Sequence, residues 1–280
     1  MTRTVSNAGP RLSVLTNPRA ERVKAVRALG RRSARQRAER FVVDGPQGVR
    51  EVLRFAPGSV TDLYVDDAAL QRHRDLVDVA RDANLPVHQC SSAVMAALVD
   101  TQHPQGIVAV CRPVDVPVAD ALADDSGFVV ILAHVRDPGN AGTVIRSADA
   151  AGARAVLLSD ASVDLYNPKV VRSTAGSLWH LPIALGGEVA GLIAACREHG
   201  RRVLAADGAG ATLLPEADLS GPHAWLMGNE AWGLDEATRD LADDVVRVPI
   251  HGHAESLNLA LAATVCMYAS ADRSAVHPTS

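Results

Sequence analysis

Three short stretches of the chain place polar side chains beside glycines in patterns suited to ligand binding. They are NAGTVIR at residues 140–146, GNE at residues 228–230 and PIHGHAESLN at residues 249–258. Glycine lets a ligand approach the backbone closely, the free N–H groups of a helix start can bind an anion, and arginine is a bidentate donor for phosphate. Taken alone, the first and third stretches also fit ordinary helix starts, with Asn140 or Ser256 as the N-cap. The second, at the end of a strand, also fits a simple cap or salt bridge through Glu230. Together they favour a site for a small charged ligand.

The elements predicted around these stretches carry all three to one edge of a sheet. Beyond residue 126, helical patterns alternate with about six apolar strands, predicted at 127–135, 154–159, 181–185, 201–207, 224–228 and 245–250. This alternation predicts a doubly wound α/β domain with a parallel sheet. Ligands in such domains gather beyond the carboxyl ends of the strands. The three stretches follow the first, fifth and sixth of these strands, so we expect them to converge there.

The first part of the chain predicts a separate, smaller α/β domain. Strands at 41–45, 60–66, 86–90 and 106–113 alternate with helices at 46–55, 68–83 and 91–100. The following segment, 113–126, holds two prolines and four aspartates and is interpreted as a linker. The predicted domains are therefore 1–112 and 127–280.

Charge is distributed unevenly between the two parts. The whole chain carries a net charge of −4, but residues 1–112 hold 17 Lys and Arg against 11 Asp and Glu, giving +6. Residues 113–280 hold 11 against 21, giving −10. Such asymmetry indicates that the N-terminal part faces nucleic acid.

A basic segment at residues 17–40 is the main candidate for that contact. Val23, Val26 and Leu29 recur at helical spacing, and nine basic residues accompany only two acidic ones. An arginine cluster around a glycine suits backbone phosphates, although charge runs also form merely solvated helices. The candidate RNA-binding residues here are Arg27, Arg31, Arg32, Arg35 and Arg37.

Composition argues against several other kinds of protein. No apolar run is long enough for a transmembrane helix, and the N-terminus lacks the apolar region of a signal peptide. The four cysteines are scattered, which predicts neither disulfides nor a zinc site and favours the reducing cytoplasm. His251 and His253 form an H-x-H pair without an evident third ligand, so no metal is expected.

The order of the three stretches resembles the SpoU (TrmH-type) branch of the SPOUT RNA methyltransferases. The resemblance runs from about Phe41 to Ala269. It implies transfer of a methyl group from S-adenosylmethionine to a ribose 2′-hydroxyl of RNA, and we expect this RNA to be ribosomal. It also implies an N-terminal substrate-binding domain, a trefoil knot in the C-terminal domain and a homodimer. The histidines flanking Gly252 depart modestly from the family pattern.

The resemblance also assigns roles to individual residues. It places the catalytic group at Asn140, Arg146, Glu230, Ser256 and Asn258. It places the cofactor beside Met227, Gly228, Val248, Ile250 and Leu257. Arg172, in a family-like stretch beginning NPK at residue 167, is a further candidate for contact with RNA or a partner subunit. Arg146 is sometimes assigned as the base in such enzymes, but a guanidinium rarely releases its proton. A role in orienting the ribose and stabilising alkoxide charge fits it better.

Three alternatives stay open at this point. The substrate could be transfer RNA, or the chain could be a non-catalytic RNA-binding protein that kept the fold. The intact Arg146, Glu230, Ser256 and Asn258 argue against the second. A nicotinamide dehydrogenase is less favoured, because the G-x-G-x-x-G fingerprint is absent.

Overall fold

The computed structural model describes the backbone of residues 14–276 and the side chains of residues 14–271. The chain divides after Arg112 into two compact units, called unit 1 and unit 2 below. Both are α/β in class, as the sequence predicted.

Unit 1 is built on a mixed four-stranded sheet. Its strands are β1 (Phe41–Asp44), β2 (Val60–Asp66), β3 (Val87–Cys90) and β4 (Ile107–Cys111), in the order β1-β4-β2-β3. Its helices are α1 (Glu21–Ala28), α2 (Arg32–Ala38), α3 (Pro46–Phe55), α4 (Asp67–Arg72), α5 (Arg74–Asp82) and α6 (Ser92–Leu98). Helix α3 and strand β2 have the bounds predicted from the sequence, 46–55 and 60–66. The continuous helix expected at 68–83 is instead two helices, broken where His73 leaves helical geometry at φ −123° and ψ 41°.

Unit 2 contains, within the described chain, a parallel sheet of seven strands. The strands are β5 (Phe128–Leu132), β6 (Val156–Leu158), β7 (Ile183–Leu185), β8 (Arg202–Ala206), β9 (Thr212–Leu213), β10 (His223–Met227) and β11 (Asp244–Arg247). The helices are α7 (Val118–Ala121), α8 (Pro138–Ala150), α9 (Pro168–Ser173), α10 (Val189–Glu198), α11 (Glu236–Arg239) and α12 (Leu259–Val276). The strand order is β7-β6-β5-β10-β8-β11-β9. The short β9, after Gly210, had no predicted counterpart.

Helices cover both faces of this sheet, as a doubly wound domain requires. On one face, side chains of α7 and α10 pack on alternate residues of the central strands, including Val129 and Leu226. On the other face, Ser270 of α12 accepts a hydrogen bond from the indole nitrogen of Trp225 at 2.9 Å. Helix α12 also packs on α8, so these two helices share a face.

The segment 113–126 is held closely to unit 2. The Tyr166 hydroxyl accepts hydrogen bonds from the backbone N–H groups of Val114 and Asp115. Val116 bridges to Ala184 beside β7, and Leu122 is fully buried. The segment therefore connects the units as a packed part of unit 2.

The four cysteines are free and buried, at Cys90, Cys111, Cys196 and Cys266. Burial raises the pKa of the Cys90 and Cys266 thiols to about 12. Their low reactivity fits a structural role. Within residues 14–276, no helix combines the length and the hydropathy that a membrane span needs.

Candidate active site

Three loops at the carboxyl edge of the unit 2 sheet carry the polar stretches found in the sequence. They follow the neighbouring strands β5 and β10, and β11 two strands away. Parallel strands end at the same edge, so the convergence expected from the sequence is present. Hydrogen bonds join the three loops directly, as follows.

The first loop ends in a capped helix. Asp137 is the N-cap of α8, and its side chain accepts a hydrogen bond from the backbone N–H of Asn140 at 2.8 Å. Pro138 occupies the first helical turn. The interpretation of Asn140 as the N-cap is therefore wrong, because the Asp-Pro pair starts the helix three residues earlier. This leaves the Asn140 side chain free to bond elsewhere.

Glu230 connects the second loop to the first. Its carboxylate accepts hydrogen bonds from the backbone N–H groups of Arg136 at 3.2 Å and Asp137 at 3.0 Å, one through each oxygen. The oxygen that faces Asp137 also accepts from the Asn140 side-chain amide at 3.3 Å. Glu230 thus fixes the entry into α8.

Asn258 connects the third loop to the same group. Its side-chain amide donates to the Asn140 side-chain oxygen at 3.0 Å, and its own oxygen accepts from the backbone N–H of Ala260 at 2.9 Å. Asn258, and not Ser256, therefore caps α12. Ser256 lies two residues earlier and is exposed. The structure thus brings Asn140, Glu230 and Asn258 into one hydrogen-bonded group, called the loop-tying network below.

Asn229 closes the second loop on itself. Its backbone exchanges hydrogen bonds with Gly233 at 2.9 and 2.8 Å, and its side-chain oxygen accepts from the N–H of Ala231. Its side-chain amide donates to the carbonyl of His134 at 2.7 Å. His134 has a positive φ of 54°, a conformation that is uncommon outside glycine. The part played by His134 was missed from the sequence, because no local pattern signals it.

Gly228 has a different role from the one expected. A methyl group added here would lie 2.5 Å from the carbonyl oxygen of Gly233 and 2.7 Å from the nitrogen of Leu234. The interpretation that Gly228 makes room for a ligand is corrected accordingly, because the backbone that approaches it belongs to its own loop.

Gly228→Ala should destabilise unit 2 by about 1–3 kcal/mol, since the rigid backbone opposite it must shift. Gly191→Ala is the matched control, because this glycine lies inside α10 with open space around it. That change should be neutral or stabilise by up to about 1 kcal/mol. Urea unfolding of both variants measures the difference, and equal stabilities would contradict the close approach.

Arg146 lies apart from the loop-tying network, on the same helix. It is six residues beyond Asn140, about 9 Å along the axis of α8. Its side chain is exposed and makes no hydrogen bond or ion pair to the residues that the structure describes. All the N–H donors of its guanidinium are therefore available to a bound molecule.

The loop between β11 and α12 has properties that fit S-adenosylmethionine. Ile250 and Leu257 are large apolar side chains, each more than one third exposed. Among the described residues, none hydrogen-bonds to the backbone N–H or carbonyl groups of residues 248–257. Such a loop offers both apolar contact and free backbone donors and acceptors, as an adenine ring requires.

The remaining predicted ligand residues differ in what they offer. Val248 is partly buried beside Ile250. Met227 is buried in β10, and its carbonyl accepts from the N–H of Ala133 at 2.8 Å, so its side chain belongs to the core. His251 and His253 are exposed, and no group of three metal-ligating side chains occurs in the described part of the chain.

Helix α9 packs closely on α8 beside the site. A methyl group at Gly142 would lie 2.7 Å from the carbonyl oxygen of Val170. This close backbone approach explains why a glycine occupies position 142. Arg172, near the end of α9, is exposed.

The arginine cluster of unit 1 is only partly available to a ligand. Arg27, Arg31, Arg32 and Arg37 are exposed. Arg35, in contrast, is 6% exposed and donates to the carbonyls of Leu29 and Gly30 at 2.7 and 2.9 Å. The expectation that Arg35 contacts RNA is therefore wrong, because its guanidinium satisfies the free carbonyls at the end of α1.

Comparison with known sequences matches both units to described families. The sequence model of the SpoU rRNA Methylase family matches residues 127–268, and that of the MRM3-like substrate binding domain matches residues 20–109. The chain is 32% identical to a 23S rRNA guanosine 2′-O-methyltransferase, RlmP of Bacillus subtilis, over 89% of this chain and 95% of that one. It is 33% identical to a 23S rRNA uridine 2′-O-methyltransferase of Streptomyces viridochromogenes, over 86% and 85%.

Comparison with solved structures agrees. An AdoMet-bound rRNA methyltransferase from Sinorhizobium meliloti superposes with a TM-score of 0.83 at 29% identity, covering 93% of this chain and 98% of that one. AviRb from Streptomyces viridochromogenes, in complex with AdoMet, gives 0.79 at 32% identity, covering 92% and 100%. Fold and site thus define an RNA 2′-O-methyltransferase that uses S-adenosylmethionine. The chain belongs to the SpoU rRNA Methylase family.

Proposed function

We propose that this enzyme methylates a ribose 2′-hydroxyl of ribosomal RNA. The observation that carries the proposal is the similarity over both units to RlmP, whose name states a 23S rRNA substrate. Binding of the same substrate requires a surface that docks RNA as well as the catalytic loops of unit 2. Unit 1 provides such a surface through its net positive charge and its exposed arginines.

Within this proposal, Arg146 acts on the RNA. Bound S-adenosylmethionine supplies an activated methyl group on a sulfonium centre. As the 2′-hydroxyl loses its proton, negative charge develops on its oxygen, and the Arg146 guanidinium orients the ribose and stabilises that charge. Arg146 does not act as the base, because a guanidinium offers only N–H donors and no acceptor for a proton.

The loop-tying network positions the reacting groups. Glu230, Asn140 and Asn258 hold the three loops in fixed relation, so that cofactor and ribose meet in line. Ser256, exposed beside Asn258, faces the substrate. Residues 248–257 hold the adenine through Ile250, Leu257 and the free backbone groups, with Val248 lining the approach.

The exposed arginines of unit 1 contact RNA phosphates. Changing Arg31, Arg32 and Arg37 together to alanine should weaken RNA binding and reduce its salt slope by roughly one to two, at about 0.7–0.9 per lost phosphate contact. Binding is measured across a salt series. The matched control changes Arg50, Arg74 and Arg81 to alanine, since these arginines pair with Asp75 and Asp78 on the same unit. Equal slopes for both triple variants would mean that the cluster is only a solvated face.

A homodimer forms through α12. Leu261, Val265 and Tyr268 lie along one side of this helix at helical spacing and are 58%, 42% and 45% exposed. An apolar stripe of this kind favours a partner helix. Leu261→Arg should convert a dimer into a monomer in sedimentation experiments, with the helical circular dichroism unchanged. An unchanged dimer would place the interface elsewhere.

The trefoil knot that the resemblance implies belongs to the same proposal. In this knot, the segment formed by β11 and α12 threads through an earlier loop of the chain. A cytoplasmic location fits the four free thiols and an RNA substrate.

The deciding experiment is methyl transfer from labelled S-adenosylmethionine to unmodified ribosomal RNA and to transfer RNA, with the labelled nucleotide mapped. We expect one labelled ribose in ribosomal RNA and background label in transfer RNA. Label in transfer RNA alone would replace the substrate. RNA binding without transfer to either would favour the non-catalytic alternative.

A further inference from the structure

Trp232 is an exposed aromatic side chain inside the second catalytic loop. The chain has only three tryptophans. Trp225 is fully buried in β10, whereas Trp232 is 55% exposed. Tryptophan has a large apolar surface, and an exposed one commonly marks a surface that receives a partner.

The loop that carries Trp232 is closed by hydrogen bonds of its own backbone. The paired hydrogen bonds between Asn229 and Gly233 form a short antiparallel bridge around it. Gly233 follows Trp232 with a positive φ of 66°. The backbone that carries Trp232 is therefore held in one conformation, which lowers the conformational entropy lost when a ligand binds to the indole.

The same loop contains Glu230, two residues before Trp232. Glu230 bonds to the backbone of Arg136 and Asp137 at the start of α8. The loop-tying network therefore holds the same loop that carries the indole. A molecule bound to Trp232 contacts this loop.

Arg136 lies over the indole, with its guanidinium carbon 5.1 Å from the ring centroid. The guanidinium makes no ion pair with the described residues. Its charge is therefore available to a phosphate, while its stacking orients the ring. An aromatic ring next to an arginine that has no carboxylate partner is the combination that binds unpaired nucleotides, by base stacking and by phosphate contact.

We propose that Trp232 and Arg136 form a stacking platform for an unpaired base of the RNA segment that carries the target ribose. This rests on the proposed function and adds a requirement for single-stranded RNA at the site. Trp232 binds the base, Arg136 binds the adjoining phosphate, and both act on substrate positioning.

The test compares Trp232→Ala and Trp232→Phe with the wild type in methyl transfer to unmodified ribosomal RNA. Loss of one stacked base should raise the KM for RNA roughly tenfold, with kcat and cofactor affinity within about threefold. Phenylalanine keeps an aromatic face and should restore most of the KM. Arg136→Lys keeps the charge and should have a smaller effect than Arg136→Ala.

A second measurement does not depend on activity. Titration with a ribosomal RNA transcript should quench tryptophan fluorescence in the wild type, and this quenching should be absent in Trp232→Phe. Annealing a complementary strand to the target segment should abolish it.

The outcomes separate the platform from the proposed function. An unchanged KM in Trp232→Ala, or equal quenching in Trp232→Phe, overturns the platform. A fall in kcat at unchanged KM also overturns it, because Trp232 would then act through Glu230. Absence of methyl transfer by the wild type overturns the proposed function, and the quenching experiment still decides the platform.

Discussion

Arg146→Ala should lower methyl transfer at least a hundredfold while cofactor affinity stays within about threefold of the wild type. The reason is that the Arg146 guanidinium is exposed on α8 and makes no bond to the described protein. Its removal leaves the fold intact but takes a charged donor from the reacting oxygen, a loss worth about 10²–10³ in rate. Arg146→Lys should recover only part of the rate, since an ammonium lacks the planar fork.

Calorimetric cofactor binding and single-turnover methyl transfer on the same preparation decide this result. Arg154→Ala is the matched control. Arg154 is an arginine of the same unit whose partner is the surface carboxylate of Asp124 at 3.4 Å. Such exposed pairs contribute little to stability, so this variant should behave like the wild type. Turnover near the wild-type rate in Arg146→Ala would remove Arg146 from the mechanism.

Glu230→Gln should lower methyl transfer about a hundredfold. Both carboxylate oxygens of Glu230 accept from backbone N–H groups, of Arg136 and Asp137. The side-chain amide of glutamine has only one acceptor oxygen. Its NH₂ group must therefore face one of the two backbone N–H donors, and that hydrogen bond is lost. The loops then separate, and a displacement of about 1 Å between reacting groups is sufficient for a loss of this size. The unfolding free energy should fall by about 1–3 kcal/mol, because a charged acceptor is lost.

Glu236→Gln is the control for this change, since Glu236 is exposed in the first turn of α11. Activity assays and urea unfolding are compared for both variants. Asn258→Ala should show less than additive effects when combined with Glu230→Gln, because both residues act through Asn140. Full additivity, or normal turnover in Glu230→Gln, would contradict a shared network.

The elements of the fold were predictable where local signals were strong. Helix α3 begins at Pro46, a residue favoured in the first helical turn, and strand β5 is a continuous apolar run. The break at His73 was not predictable, because neither His73 nor its neighbours is a helix breaker. Asp137 and Pro138 carry the start signal for α8, since an N-cap residue followed by proline marks a helix start more strongly than Asn140 alone.

The contacts between distant residues were beyond any local pattern. Arg35 belongs to a basic run that looks solvated, yet it binds carbonyls at the end of another helix. Gly228 looks like a ligand-facing glycine, yet the tight approach is with Gly233. Convergence of the three stretches followed from the parallel sheet, whereas the order of its strands and the bonds among Asn140, Glu230 and Asn258 arise only from the assembled fold.

The free backbone of residues 248–257 has a consequence for the timing of the catalytic cycle. Each backbone residue that becomes fixed loses conformational entropy equivalent to about 1–2 kcal/mol. A ligand that orders this loop therefore binds less tightly than its contacts alone would allow. The same entropy loss speeds the release of the cofactor once it has given up its methyl group, because the spent cofactor occupies the same loop. Substitutions that stiffen the loop would slow the exchange of spent for fresh methyl donor, even where they improve affinity.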